Sequence, residues 1–312
     1  MGLIRIVGIV FILVAALFSQ ESVFALTISP ARAELSADPG QSVSDTIELY
    51  NDEPSERTYF ISTQNFTADG ETGAPSFIGN ADDLATWIQT MERVTVQPQE
   101  RKLIGYTIKV PKNAKPGGHF AAIFFSTSDA NEGSQMMIGG RVGALVLLSV
   151  SGEVKENAGI NSFMTESGSF FSSIPIKFSY WFNNMGGNRI KPLGTIVIKN
   201  VFGFEVASFS ANPKSGNVLP NSMRKFNSQW GSDRSEGVSN FIWEYKNFHL
   251  GYYTAVLNLT YGDGKQATSE YSFFVVPWHL VVVLPGIVLL VILARTALKR
   301  YNKWVIAQAR HE

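Results

Sequence analysis

The chain has 312 residues, no cysteine, 45% hydrophobic and only 17% charged residues, where about a quarter is usual for a soluble protein; long disorder is excluded and part of the chain is expected in lipid. Without cysteine there is no disulfide, iron–sulfur cluster, thiolate zinc site, cysteine nucleophile or lipid-modified cysteine. The net charge of zero hides an acidic stretch, since residues 26–157 carry 10 Lys+Arg against 17 Asp+Glu, residues 158–276 carry 10 against 7 and the two ends 6 against 2, so no basic stripe suits nucleic acid.

Residues 1–25 combine Arg5, an apolar run from Ile6 to Phe18 and Val23-Phe24-Ala25, the pattern of a secretory signal peptide. From residue 26 onward apolar residues recur with period two in short runs parted by Pro, Gly, Asn and Asp, which predicts β-sandwiches. Strands are predicted at 26–29, 43–50, 57–66, 93–96, 102–110, 119–128 and 141–154, with one short helix at 82–89. Seven strands match an immunoglobulin-like count. A linker is expected near 155–159, placing a first domain at 26–156 and a second at 157–276. The second is read as strands at 159–165, 174–182, 193–200, 204–209, 223–230, 241–245, 251–261 and 267–276, the last two joined by Gly262-Asp263-Gly264. Trp181 and Tyr253 stand where immunoglobulin-like domains keep a core Trp and a corner Tyr.

The uncharged run 278–294 is just long enough to cross a bilayer. Trp278 marks one interface, while Arg295, Lys299 and Arg300 follow at the other and place the tail, 295–312, in the cytoplasm. Those four residues are the expected membrane anchor. A sortase signal would need a Leu-Pro-x-Thr-Gly motif before the run, and none is there. The tail carries Leu298, Tyr301 and Val305 near one helical face with Trp304 beside them, so it is expected either to extend the helix along the membrane or to end in solvent.

Trp87-Ile88, Val94-Thr95-Val96, Pro98, the alternation through Ile108 and Val110-Pro111, and Ala114-Lys115-Pro116-Gly117-Gly118 followed by residues 119–125 form a connected pattern, preceded by Ile28-Ser29-Pro30 and the 43–51 strand. It resembles the peptidoglycan-binding domain of the WxL-interacting proteins of bacterial surfaces, over about residues 26–152. The resemblance implies a signal peptide, two β domains, one membrane helix and a basic tail. Its expected partners are peptidoglycan and a surface protein such as one carrying a WxL domain. The second half does not share the pattern, and no site residue is carried over.

The inventory for chemistry is thin: four histidines, His119, His249, His279 and His311, and no His-Glu-x-x-His, Gly-x-Ser-x-Gly, phosphate loop or dinucleotide fingerprint. Wall-glycan cleavage needs two carboxylates about 5–10 Å apart. Asp82-Asp83 and Asp69/Glu71 are the close pairs, and they read better as a helix cap and a turn. Trp87 is the candidate to stack on a sugar, with a plug at the sandwich rim as the simpler reading. No catalytic residue, cofactor or metal is expected. The expectation is an all-β, single-pass cell-membrane protein of two tandem immunoglobulin-like sandwiches, its body outside, that binds peptidoglycan or another surface protein. A chaperone-like assembly protein acting by strand addition is the alternative, and a wall-glycan hydrolase a more remote one.

Overall fold

The computed structural model describes residues 26–79, 82–127, 141–234 and 237–308. The predicted signal peptide lies outside the described residues. The protein is all-β, two immunoglobulin-like β-sandwiches followed by one long apolar helix. The chain divides into two compact units, one running up to Phe66 and then Phe77–Gly152, the other comprising Thr67–Ser76 and the chain from Glu153. The predicted boundary at 156 falls four residues late, and the excursion at 67–76 carries no sequence signal of its own.

From Leu26 to Val150 the elements are β1 (Leu26–Ser29), β2 (Arg32–Ala37), β3 (Ser42–Asn51), β4 (Arg57–Asp69), β5 (Ala74–Phe77), α1 (Leu84–Trp87), β6 (Ile88–Gln89), β7 (Arg93–Val96), β8 (Arg101–Lys109), β9 (Gly117–Ser126) and β10 (Arg141–Val150), with the last three residues of β4 and the first three of β5 in the stretch that belongs to the second unit. One sheet runs β1-β3-β8-β6; the other runs β2-β10-β9-β4-β5 with β7 also on β4. Between them pack alternate residues, among them Leu49, Ile104, Ile108, Ile123, Phe125, Val146 and Leu148. The seven predicted strands are present. The predicted 82–89 helix is a single turn that passes directly into β6.

The strand missed between them, β2, explains the topology. β1 pairs antiparallel with β3, and β2 pairs parallel with β10 in the opposite sheet. Pro30 lies between them and brings no N–H, so the first ladder ends there and the chain is free to change sheets. β2 turns Ala33, Leu35 and Ala37 to the core side in strict alternation, but six residues with a single large apolar side chain among them are a weak strand signal.

β9 is buried on both faces. Phe120 and Phe124 point away from the core and are covered by Phe66, at 5.9 Å from Phe120, and Phe77, at 4.9 Å from Phe124. Gly143 on β10 makes the room, since a Cβ there would stand 2.7 Å from Phe124 Cδ1.

The second unit contains β11 (Ala158–Thr165), β12 (Phe170–Phe171), β13 (Ile176–Asn184), β14 (Leu193–Asn200), β15 (Glu205–Ser210), β16 (Ser222–Trp230), α2 (Asn240–Lys246), β17 (Gly251–Tyr261), β18 (Lys265–Val275) and α3 (Trp278–Gln308). Its sheets run β11-β13-β16 and β12-β18-β17-β14-β15. Gly262 and Gly264, at φ +55° and +85°, turn β17 into β18 as expected.

Two expectations are corrected. Trp181 is not the core tryptophan: on β13 the inward residues are Phe178, Tyr180 and Phe182, so by the two-residue period Trp181 faces outward, where its Nε1 donates to Glu71 at 2.6 Å within the same unit. The buried position belongs to Trp230, whose ring meets Tyr253 at 5.5 Å and Phe273 at 6.1 Å. Tyr253 is the corner tyrosine, its hydroxyl 3.5 Å from the Leu250 carbonyl. The predicted 241–245 strand is the helix α2. Aromatic and branched residues gave it a strand composition, but Ser239 caps it by accepting from the Ile242 N–H, and Trp243 Nε1 donates to the Ile174 carbonyl.

In place of disulfides both units use a buried asparagine where a long strand ends. Asn51, at the end of β3, donates through Nδ2 to the carbonyls of Ser55 and Val96 and accepts from the Glu53 N–H. Asn184, at the end of β13, donates to the carbonyls of Asn188 and Val218 and accepts from the Gly186 N–H. Each amide closes its own turn and ties that turn to a segment distant in sequence.

α3 is long and apolar enough to cross a membrane. Its start is clamped by the buried Glu244 of α2, which accepts from the Leu280 N–H at 3.2 Å and pairs with His279 Nδ1 at 2.5 Å. The helix is unbroken through Pro285 and continues into the predicted tail as far as Gln308.

Candidate binding surface

The first unit offers a half-open strand. β10 pairs with β9 along its whole length, but β2 accompanies it only from Leu145 to Val150. The Leu145 N–H donates to the Ala31 carbonyl on the β2 side, so by the two-residue period the main-chain groups of Gly143 and Arg141 point to that same side. Among the described residues nothing pairs with them there.

The side chains around this gap suit an added strand. Val142 is half-buried and lies on the core face in line with the buried Ala144, Val146, Leu148 and Val150. On the outer face the Arg141 guanidinium lies 3.9 Å over the Phe124 ring and donates to Gln64 Oε1 at 3.2 Å. Among the described residues, the two outward-facing main-chain positions Arg141 and Gly143, next to a half-buried Val142, are the kind of edge that can pair with an added strand. The sequence predicts 141–154 as a last strand and carries no sign of the gap, because the partner that falls short, β2, is a six-residue strand with one large apolar side chain.

His119 is the most constrained titratable side chain of this unit. Its Nδ1 lies 2.5 Å from Asp83 Oδ1 and its Nε2 2.8 Å from the Lys115 carbonyl. Burial lowers its pKa, but the Asp83 hydrogen bond, the Lys115 carbonyl and the Asp83 charge together outweigh that, and the net shift is upward from 6.5. Both partners are acceptors, so the doubly protonated ring fits and no free lone pair is left for base chemistry. Asp83 stands at the N-cap of α1 without capping it; its carboxylate serves His119, while Asp82 accepts from Thr86 Oγ1. Trp87 lies against His119 at 4.7 Å and is only 8% exposed, so it presents little face to a sugar.

This latch carries a pH prediction. A folded pKa above the unfolded value means that the stabilisation is fully present below about 6.5 and is lost as pH rises through the folded value. The melting midpoint should therefore fall more between pH 6 and pH 8.5 in the native chain than in His119→Gln. Equal slopes in the two proteins would show that the latch contributes nothing.

In the second unit a cleft of about 390 Å³ is lined by residues that include Ser172, Ser173, Arg234, Asn240 and Glu244. Its charged groups are engaged, since Arg234 donates to Asn240 Oδ1 and the Val238 carbonyl, and Glu244 holds the start of α3. Among the described residues no group of three or more His, Asp or Glu side chains is placed to hold a metal. Trp278 is exposed at the first turn of α3, and Arg295, Lys299 and Arg300 lie exposed on the same helix beyond its apolar run.

No protein-family model matches the chain, and no curated protein matches it. Solved structures similar to it include the class 5 fimbriae chaperone CfaA, with 14% identity, a TM-score of 0.38 and coverage of 80% of this chain and 99% of that one. Another is the CsuC–CsuE chaperone–tip adhesion subunit pre-assembly complex from archaic chaperone–usher Csu pili of Acinetobacter baumannii, with 13% identity, a TM-score of 0.36 and coverage of 79% and 97%. The E. coli chaperone DraB follows, with 10% identity, a TM-score of 0.35 and coverage of 81% and 97%. Those names describe those proteins; at these scores nothing about partners passes to this chain.

Proposed function

We propose that this chain is a membrane-anchored, non-catalytic binding protein whose first unit receives an extended segment of a surface protein along the open edge of β10. The supporting observation is the gap itself: β2 stops short of Arg141 and Gly143, whose main-chain groups face outward beside a half-buried Val142. A partner strand entering there continues the line of β2 and covers Val142. Affinity comes from the main-chain bonds, and selectivity from the alternate side chains that reach the core face. α3 crosses the membrane, with the basic residues after it on the cytoplasmic side and both sandwiches outside.

The test uses intact cells. A photo-crosslinking amino acid in place of Ala31, an exposed residue where β2 begins its pairing with β10, should yield an adduct with one surface protein. Sequencing of the crosslinked peptide should place the contact in a segment of alternating apolar residues. An adduct carrying wall muropeptides instead would overturn strand addition and favour peptidoglycan as the ligand. No adduct at all would leave the edge without a partner and contradict the proposal.

A further inference from the structure

The second unit carries an unusual apolar display at the end from which α3 leaves. The turn between β14 and β15 presents Val201, Phe202 and Phe204 to solvent, with Phe202 79% exposed. This turn is built rather than loose: Asn200 Oδ1 accepts from the N–H groups of both Phe202 and Phe204, and the Asn200 N–H donates to the Phe204 carbonyl. Gly203 between them sits at φ +82°, which lets both rings point outward. Tyr245 at the end of α2, followed by Phe248 and Leu250, is exposed in the same way.

The sheet register puts these groups at one level. Asn200, at the base of the turn, pairs with Tyr253 near the start of β17, and Gly251 pairs with Val275 at the end of β18. Leu250 immediately precedes β17, and α2 packs on α3 through the Glu244 clamp. The aromatic turn, α2 and the first turn of α3 thus lie at the same end of the domain.

Only Val276 and Pro277 separate β18 from α3. Two extended residues reach about 7 Å. The headgroup layer on each side of a bilayer is about 5–8 Å thick, half the difference between a core of about 30 Å and a full thickness of about 40–45 Å. The uncharged run 278–294 extends about 26 Å at about 1.5 Å per residue, slightly less than that core, so a spanning helix draws its own start toward the membrane. A domain on so short a tether cannot hold this end clear of the headgroups. Aromatic side chains with apolar neighbours are what that interface favours, whereas a patch of this kind turned to water is costly.

We infer that this end of the second unit is an interfacial membrane contact: Val201, Phe202, Phe204, Tyr245, Phe248 and Leu250 insert among the lipid headgroups and upper acyl chains and seat the domain on the bilayer around α3. The inference rests on α3 crossing the membrane, and it holds for either orientation of the chain.

The absence of cysteine makes the test clean, because one introduced cysteine carries one label. The full chain is reconstituted into phosphatidylcholine–phosphatidylglycerol vesicles and labelled with a polarity-sensitive NBD dye in separate proteins bearing Phe202→Cys, Tyr245→Cys, Asp263→Cys or Val291→Cys. Asp263 lies in the exposed turn at the opposite end of β17 and β18. Lipids bearing a shallow nitroxide should quench positions 202 and 245 at least twofold more than position 263, and a deep nitroxide should quench position 291. Quenching at 291 without quenching at 202 and 245 would overturn the contact while leaving the membrane span intact. A blue shift at 202 without nitroxide quenching would also overturn it, because protein rather than lipid would then cover the turn. Loss of quenching at 291 would overturn the span and the contact together. Circular dichroism of each labelled protein confirms that the sandwich is folded, and agreement of 202 with 245 guards against local damage at one position.

Discussion

Phe178→Ala is expected to destabilise the second unit by about 3–5 kcal/mol, the range for emptying a fully buried phenylalanine site. Phe178 is wholly buried, with the rings of Phe163, Phe209 and Phe273 at 5.9, 5.9 and 5.6 Å. Those neighbours come from strands of both sheets, so they cannot close over the space without moving the sheets themselves. Trp181→Ala, three residues along the same strand, should cost only about 1 kcal/mol, because it loses the contact of a half-buried, outward-facing ring with Lys225 and one hydrogen bond. Thermal or denaturant unfolding of the two variants decides the matter. A larger loss at Trp181 than at Phe178 would mean that the face of β13 has been assigned the wrong way round.

Asn184→Ala should be nearly as damaging, at about 2–4 kcal/mol. The amide is wholly buried and makes three hydrogen bonds, to the carbonyls of Asn188 and Val218 and from the Gly186 N–H. Alanine removes the partner of the Gly186 N–H and of the Asn188 carbonyl and one of the two donors to the Val218 carbonyl, which keeps the Ile190 N–H, at about 1–3 kcal/mol for each group left unpaired where water cannot reach. Asn184→Asp separates the donor from the acceptor role. It keeps the acceptor for Gly186 but sets a carboxylate against two carbonyls, so it should be no better than alanine. An aspartate variant as stable as the native chain would show that the two donated bonds contribute nothing.

Period-two alternation made the main strands legible in both units, and 93–96, 193–200 and 251–261 carry their predicted bounds. It is weak where an alternating run is short and misleading where aromatic residues face outward. β2 alternates Ala33, Leu35 and Ala37 inward over only six residues with one large apolar side chain, and without β2 the half-open edge of β10 has no sequence signal. Trp181 was placed by analogy with a core tryptophan, yet Phe178, Tyr180 and Phe182 occupy the inward parity and Trp230 supplies the buried indole. α2 was hidden because its aromatic composition suits a strand, and the decisive signal was the Ser239 cap. Asn51 and Asn184 read as turn formers, which they are, but their long-range bonds depend on which segments meet in three dimensions. The pairing of His119 with Asp83, 36 residues apart, likewise has no local signature.

Arg141→Pro compared with Arg141→Ala tests the open edge most directly. Both substitutions remove the guanidinium from Phe124, but only proline also removes the outward N–H, so their difference isolates main-chain pairing. The readout is the yield of the partner adduct from the photo-crosslinker at position 31 in intact cells, with each variant at equal surface level and equal melting midpoint. The alanine protein should keep most of the adduct and the proline protein should lose it at least tenfold. Equal yields from the two proteins would contradict strand addition at β10.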